Sequence, residues 1–321
     1  MTISQLATPV PTHANYERLI GRAKQVPAAK TIVVYPCDET SLRGAAEAAE
    51  AGIIIPILVG PRGKIAAAAR EHRIDISRFE VIDAAHGEDA AAIGVKLIHE
   101  GKGEVLMKGS LHTDELMRAV TASATGLRTA RRISHVFVMD VPTYPEPLFI
   151  TDAAINIFPD LDAKRDIIQN AIDLFTEAGL GTPRVAILSA VETVTSKIPS
   201  TIEAAALCKM AERGQITGGV LDGPLAFDNA IDPEAAKIKG IQSPVAGRAQ
   251  ILVVPDLEAG NMLAKNLSFL ARADAAGIVL GARVPIVLTS RADSVRTRMA
   301  SCAVAVLYAD ARRRATVLPA A

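Results

Sequence analysis

The sequence has no tryptophan, and aromatic residues make up only 3% of its 321 positions. A core without large rings is filled by Ala, Val, Ile and Leu, which suits helices packed on a parallel sheet. Its three cysteines, Cys37, Cys208 and Cys302, are an odd and scattered set without metal-ligand or redox spacing. They read as small buried hydrophobes. No charge of either sign is in excess, with 35 basic and 35 acidic side chains. That balance removes the global argument for a nucleic acid or an anionic membrane as partner. No apolar run reaches membrane-spanning length. The stretch MTISQLATPVPTHANYERL lacks the apolar centre with basic flanks that marks a secretory signal. These absences lead us to expect a cytoplasmic protein that binds neither membrane nor nucleic acid.

Common catalytic motifs are also missing. There is no G-x-G-x-x-G, and Gly60-Pro-Arg-Gly-Lys-Ile65 lacks the spacing and hydroxyl residue of a phosphate-binding loop. There is no G-x-S-x-G and no H-E-x-x-H. The histidines are dispersed, and only His112 is placed near a cleft. Neither a metal nor a tightly bound cofactor is expected.

What is present is an alternation of strand and helix. Runs at 31–35, 53–59, 79–82, 105–107 and 136–141 read as strands, several with β-branched residues and no polar alternation, as in strands buried on both faces. Helical runs lie between them, the pattern of βαβ units. The run Pro142-Thr-Tyr-Pro-Glu-Pro147 breaks the pattern, and alternation then resumes. This predicts an α/β protein of two three-layer α/β/α domains with mostly parallel sheets and an interdomain cleft. One domain takes 1–141 with 300–321, and the other 142–299.

In such folds ligands bind where strands end and helices begin. Polar loops are expected at such ends at 108–114, 222–229, 243–247, 256–261 and 290–293. The stretch 243–266 supplies Ser243, Asp256 and Asn261 as polar contacts. A second unit runs from Val284 to Asp293. The cleft is expected to receive both strand ends.

Asp222-Gly-Pro-Leu-Ala-Phe-Asp-Asn-Ala230, Ser243-Pro-Val-Ala-Gly247, Val254-Pro-Asp-Leu-Glu-Ala-Gly-Asn261 and Leu288-Thr-Ser-Arg-Ala-Asp-Ser294 resemble the phosphate acetyl/butyryltransferase family. Lys108-Gly-Ser-Leu-His-Thr-Asp114 and the strand from Ile53 to Gly60 are similar to its N-terminal half, so that the likeness runs from about 16 to 310. The resemblance implies transfer of an acyl group from acyl-CoA to phosphate, giving acyl phosphate and CoA. Acetyl is favoured over butyryl. It also implies a ternary complex without a covalent acyl-enzyme, CoA as substrate rather than cofactor, a homodimer, and a cleft like that of isocitrate and isopropylmalate dehydrogenases.

Within that resemblance, Ser290 and Arg291 are the candidates for stabilising charge on the phosphate, carbonyl and thiolate. Asp293 is a candidate base or a helix cap, with Asp256 the alternative base. The acetyl enzymes carry an acid about where this chain has Thr297. That departure keeps open a CoA- or acyl-phosphate-binding protein without catalysis. Arg118, Arg131 and Arg132, with Arg43 further off, are candidates for the CoA phosphates. Asn261, Lys265, Ser243 and Asp222 complete the substrate-binding set. A metal-dependent dehydrogenase is a third reading and would need Asp222, Asp228 and Asp256 to converge.

Overall fold

The helices carry their own start signals. The carboxylates of Asp38, Asp160 and Asp256 accept the backbone N–H of Ser41, Ala163 and Ala259 at 2.8, 2.8 and 2.9 Å. Each thereby satisfies a donor that the first helical turn leaves unpaired. The computed structural model describes residues 13–289 and 293–317. In chain order it contains α1 (Ala14–Ala23), β1 (Ala29–Val34), α2 (Glu39–Glu50), β2 (Ile54–Val59), α3 (Arg62–Glu71), β3 (Glu80–Ile82), α4 (Gly87–His99), β4 (Val105–Lys108) and α5 (Thr113–Thr121). There follow β5 (Ser134–Asp140), β6 (Leu148–Thr151), α6 (Leu161–Glu177), β7 (Arg184–Leu188), α7 (Pro199–Glu212), β8 (Val220–Leu225), α8 (Phe227–Ile231) and α9 (Pro233–Ile238). The last elements are β9 (Ile251–Val253), α10 (Leu257–Phe269), β10 (Asp274–Leu280), β11 (Ile286–Val287) and α11 (Val295–Val317).

The fold is α/β with a mostly parallel sheet. Its strands join into one 11-stranded sheet in the order β3-β2-β1-β4-β11-β10-β5-β6-β9-β7-β8. β3, β2, β1, β4 and β11 are mutually parallel neighbours, as are β6, β9, β7 and β8. The antiparallel pairs β11–β10, β10–β5 and β5–β6 link the two sets. β9 therefore points the opposite way to β11, and the carboxyl ends of these strands open at opposite ends of the sheet. The expected cleft with both ends opening onto it does not form.

Two details differ from the sequence reading, at β10 and β8. β10 begins Asp-Ala-Ala-Gly, poor strand formers, yet pairs with β5 along its length from Asp274 to Leu280. β8 runs through Asp222-Gly-Pro, expected as a loop; it is an edge strand, where a proline is tolerated. β6 stops at Thr151, where the Asp152 carboxylate gathers the N–H groups of Ala154 and Ile155 at 2.9 and 3.0 Å and turns the chain. Thr113 is the first helical residue of α5, with His112 at the cap position.

α11 lies over the middle of the sheet against β10, α2 and α1, with Cys302, Ala303, Ala305 and Val306 buried completely or nearly so. Among the described residues, no helix is long and apolar enough to cross a membrane.

Candidate functional site

A cleft of about 720 Å³ opens at the carboxyl ends of β4 and β11. Its floor includes Lys108, the last residue of β4, and Leu288 and Thr289, which follow β11. Leu111, His112 and the first turn of α5 form one side. The other is the flank of α10, where Leu257, Asn261, Ala264, Lys265, Ser268 and Phe269 recur at helical spacing. Thus the stretch 243–266 contributes the side of a helix rather than the end of a strand.

Asp256 explains that change. Its carboxylate caps α10, and the residue is not part of the cleft lining, whereas Asn261 and Lys265, further along the same helix, are. Asn261 Nδ2 donates to the Ala153 carbonyl at 3.2 Å, which fixes its amide against β6's following turn. Asp293 lines the cleft together with Ser294 and Thr297. Ser294 Oγ accepts from Thr297 N at 3.1 Å, which makes the serine a capping residue of α11. Ser290 and Arg291 lie outside the described residues. Their flanking residues Thr289 and Asp293 both face the cleft.

The other candidates are placed elsewhere. Ser243 Oγ accepts from Val245 N and Ala246 N, each at 3.0 Å, and shapes its own loop. Asp222 accepts from Gly223 N at 2.8 Å. Arg118 pairs with Glu88 at 2.8 Å on the exposed flank of α5. Arg132 donates to Asn156 at 2.8 Å, Arg131 to Asp173 at 2.8 Å, and Arg43 to Glu39 at 2.8 Å. Asp228 pairs with Lys239 at 3.6 Å. Among the described residues no three His, Cys, Asp or Glu come together as metal ligands, Asp222, Asp228 and Asp256 included.

Two cleft residues were not among the named candidates, though Lys108 belongs to the expected loop 108–114. Lys108 is only 2% exposed, and its Nζ donates to the Gly109 carbonyl at 3.2 Å. A lysine closing the apolar run Val105-Leu-Met was the available signal. The second is His135, on β5, so His112 is not the sole histidine at the cleft. Burial holds its imidazole down at about 4, against a smaller opposing pull from the Asp152 carboxylate. Its signal was a lone histidine inside the strand Ser134–Asp140.

The depressed His135 has a consequence for stability. Above pH 6.5 it is neutral whether the chain is folded or not. Below that, the unfolded chain takes up a proton that the folded chain refuses, down to about pH 4. This group alone therefore removes stability at up to about 1.4 kcal/mol per pH unit as the pH falls through that window. Urea midpoints between pH 7 and 4.5 are expected to fall less steeply for His135→Leu than for the parent chain. Equal slopes would refute the assignment.

The cysteines carry no ready nucleophile. Burial pushes the Cys37 thiol up to about 11, and those of Cys208 and Cys302 up to about 12.

The cleft joins two lysines, an amide and a helix N-terminus with the carboxylates of Asp114, Asp274 and Asp293, a polar lining at the place where α/β folds bind small molecules. Residues 85–306 match the family described as phosphate acetyl/butaryl transferase, and the chain belongs to that family. It is similar to the phosphate acetyltransferase of Rhizobium meliloti, with 76% identity over 304 residues covering 95% of this chain and 96% of the relative. Its similarity to the phosphate butyryltransferase of Clostridium beijerinckii is 41% over 295 residues, 92% of this chain and 98% of the relative. The crystal structure of a branched-chain phosphotransacylase from Enterococcus faecalis V583 matches with a TM-score of 0.76 at 27% identity, covering 87% of this chain and 99% of that one.

Proposed function

We propose that this chain is a phosphate acetyltransferase, an enzyme that converts acetyl-CoA and phosphate to acetyl phosphate and CoA. The observation that carries the acyl assignment is the gap between 76% identity to an acetyltransferase and 41% to a butyryltransferase. A phosphate oxygen bonds to the thioester carbonyl carbon, the C–S bond breaks, and the sulfur leaves as thiolate and is protonated. Negative charge gathers on the phosphate, the carbonyl oxygen and the sulfur together, so the site has to supply fixed donors and cations. Lys108, Lys265, Asn261 and the N-terminus of α5 are the described groups that suit this role. Ser290 and Arg291 join them by position in the chain, and Asp293 serves the proton transfer. Direct transfer in a ternary complex is supported by the cleft lining, which among the described residues includes no cysteine.

The same reading makes CoA a substrate rather than a resident cofactor, and places the enzyme in the cytoplasm as a homodimer. It treats 1–141 with 300–321 and 142–299 as two domains sharing one sheet.

The test is release of free thiol from acetyl-, propionyl- and butyryl-CoA with and without phosphate. Phosphate-dependent release, fastest with acetyl-CoA, is expected. Absence of phosphate dependence with every acyl-CoA would refute the activity, and faster release from butyryl-CoA would reassign the acyl group.

A further inference from the structure

The His135 side chain is 1% exposed, and it lines the cleft on the same face of β5 as Phe137, whose ring it meets edge-on at 4.4 Å. Among the described residues neither of its ring nitrogens has a hydrogen-bond partner, and Nδ1 is sealed from solvent as well. The nearby carboxylate does not relieve this. Asp152 already accepts the N–H groups of Ala154, Ile155 and Asn156 and the Asn156 side-chain amide. A buried polar group without a partner is costly, and it calls for an explanation such as catalytic work, strain or a bound water.

The surroundings of Nε2 show where that work lies. A Cβ placed on Gly277 would stand 3.1 Å from Nε2 and 2.8 Å from the Leu288 carbonyl oxygen. Nε2 therefore packs against the Gly277 backbone, beside the Leu288 carbonyl at the end of β11. That strand end leads through Thr289 into Ser290 and Arg291. We infer that His135 is a further catalytic residue, whose Nε2–H donates a hydrogen bond to the acyl carbonyl oxygen during transfer. The inference rests on the acetyltransferase reading of the cleft.

As the phosphate oxygen bonds to the carbonyl carbon, the carbonyl oxygen gains negative charge, and a fixed donor there is stronger in the transition state than in the bound thioester. The imidazole gives up no proton. The carbonyl re-forms as the C–S bond breaks, and the thiolate is protonated from elsewhere. Burial keeps the ring uncharged at neutral pH, so it offers a directed donor without competing with Lys108 and Lys265 for the phosphate.

The experiment compares His135→Leu, His135→Gln and His135→Asn with the parent enzyme. Leu removes the donor and the unmet polar atoms together. Gln carries its amide near the Nε2 position, and Asn near Nδ1. For Leu the expected result is a kcat lower by about 10²-fold, KM values for acetyl-CoA and phosphate within about threefold, and a Tm equal to or above that of the parent. Gln should recover about tenfold in kcat over Leu, and Asn should not. A Leu variant with parental kcat overturns the inference. So does parallel loss of activity and Tm in all three variants, which would make His135 structural. Should Leu not fold, Gln against Asn decides by the same criterion. Turnover by the parent enzyme in the same assay tests the activity itself, separately from the role of His135.

Discussion

Replacing Arg291 by Ala should lower kcat by about 10²–10³-fold while the chain still folds. Arg291 is separated by one residue each from Thr289 and Asp293, both of which line the cleft. The transfer places a thiolate, a phosphate and a developing oxyanion within one small volume. A guanidinium answers that arrangement better than an ammonium, because its planar fork binds two oxygens at once and never loses its charge. Arg291→Lys should recover only part of the rate for that reason. The circular dichroism spectrum and Tm of Arg291→Ala should match the parent. Turnover at the parental rate would remove Arg291 from the mechanism.

The second large effect concerns Arg298. It is fully buried, and its Nη1 donates to Thr289 Oγ1 at 2.7 Å. Burial pulls its guanidinium below the usual arginine range, opposed by the Asp38 and Asp293 carboxylates. α2 accommodates it by having Gly44 where a Cβ would come within 2.8 Å of the arginine Cδ. Removing this charge leaves two carboxylates without it and a hole between α2 and α11. Arg298→Ala should therefore destabilise by about 2–5 kcal/mol, the range for truncating a large buried side chain. Urea unfolding at pH 7 checks it. A loss below about 1 kcal/mol would show that the buried charge contributes little net stability. Because Arg298 also fixes Thr289, the variant should lose activity even under conditions where it remains folded.

Much of the fold was legible because its strands are chemically plain. Thr31-Ile-Val-Val and Arg184-Val-Ala-Ile-Leu are β-branched runs, and the Asp caps and closing glycines mark the helices between them. The relative direction of the two strand sets was not read, although the sequence held the clue. The connection from β5 to β6 spans Val141 to Pro147, too short for a parallel crossover and long enough for an antiparallel return. Read that way, the Pro-rich run is the bend between neighbouring strands, and strand direction reverses beyond it. β10 was missed because Ala and Gly occupy positions where pairing with β5, not intrinsic preference, makes the strand.

At the site, sequence patterns marked loops well and side-chain destinations poorly. Asp256 and Ser243 are polar residues in the expected segments, but both are used up on nearby backbone N–H groups. Local capping competes with every such residue at a helix start. His135 and Arg298 lacked a loop motif altogether. Their importance comes from being buried, which depends on the packing of β10 and α11 against elements far away in sequence.

The position of β11 has a consequence for how the chain acquires its structure. This strand is seated between β4 and β10, and α11 then covers β10, α2 and α1. The residues that finish the centre of the sheet are thus synthesised after nearly everything they join. Until they emerge, β4 keeps a bare edge where β11 will pair, and the apolar sides of α1 and α2 await α11. Contacts of such long sequence separation slow folding and expose unpaired strand edges meanwhile. The nascent N-terminal half therefore presents an unpaired strand edge and uncovered apolar helix faces until β11 and α11 emerge.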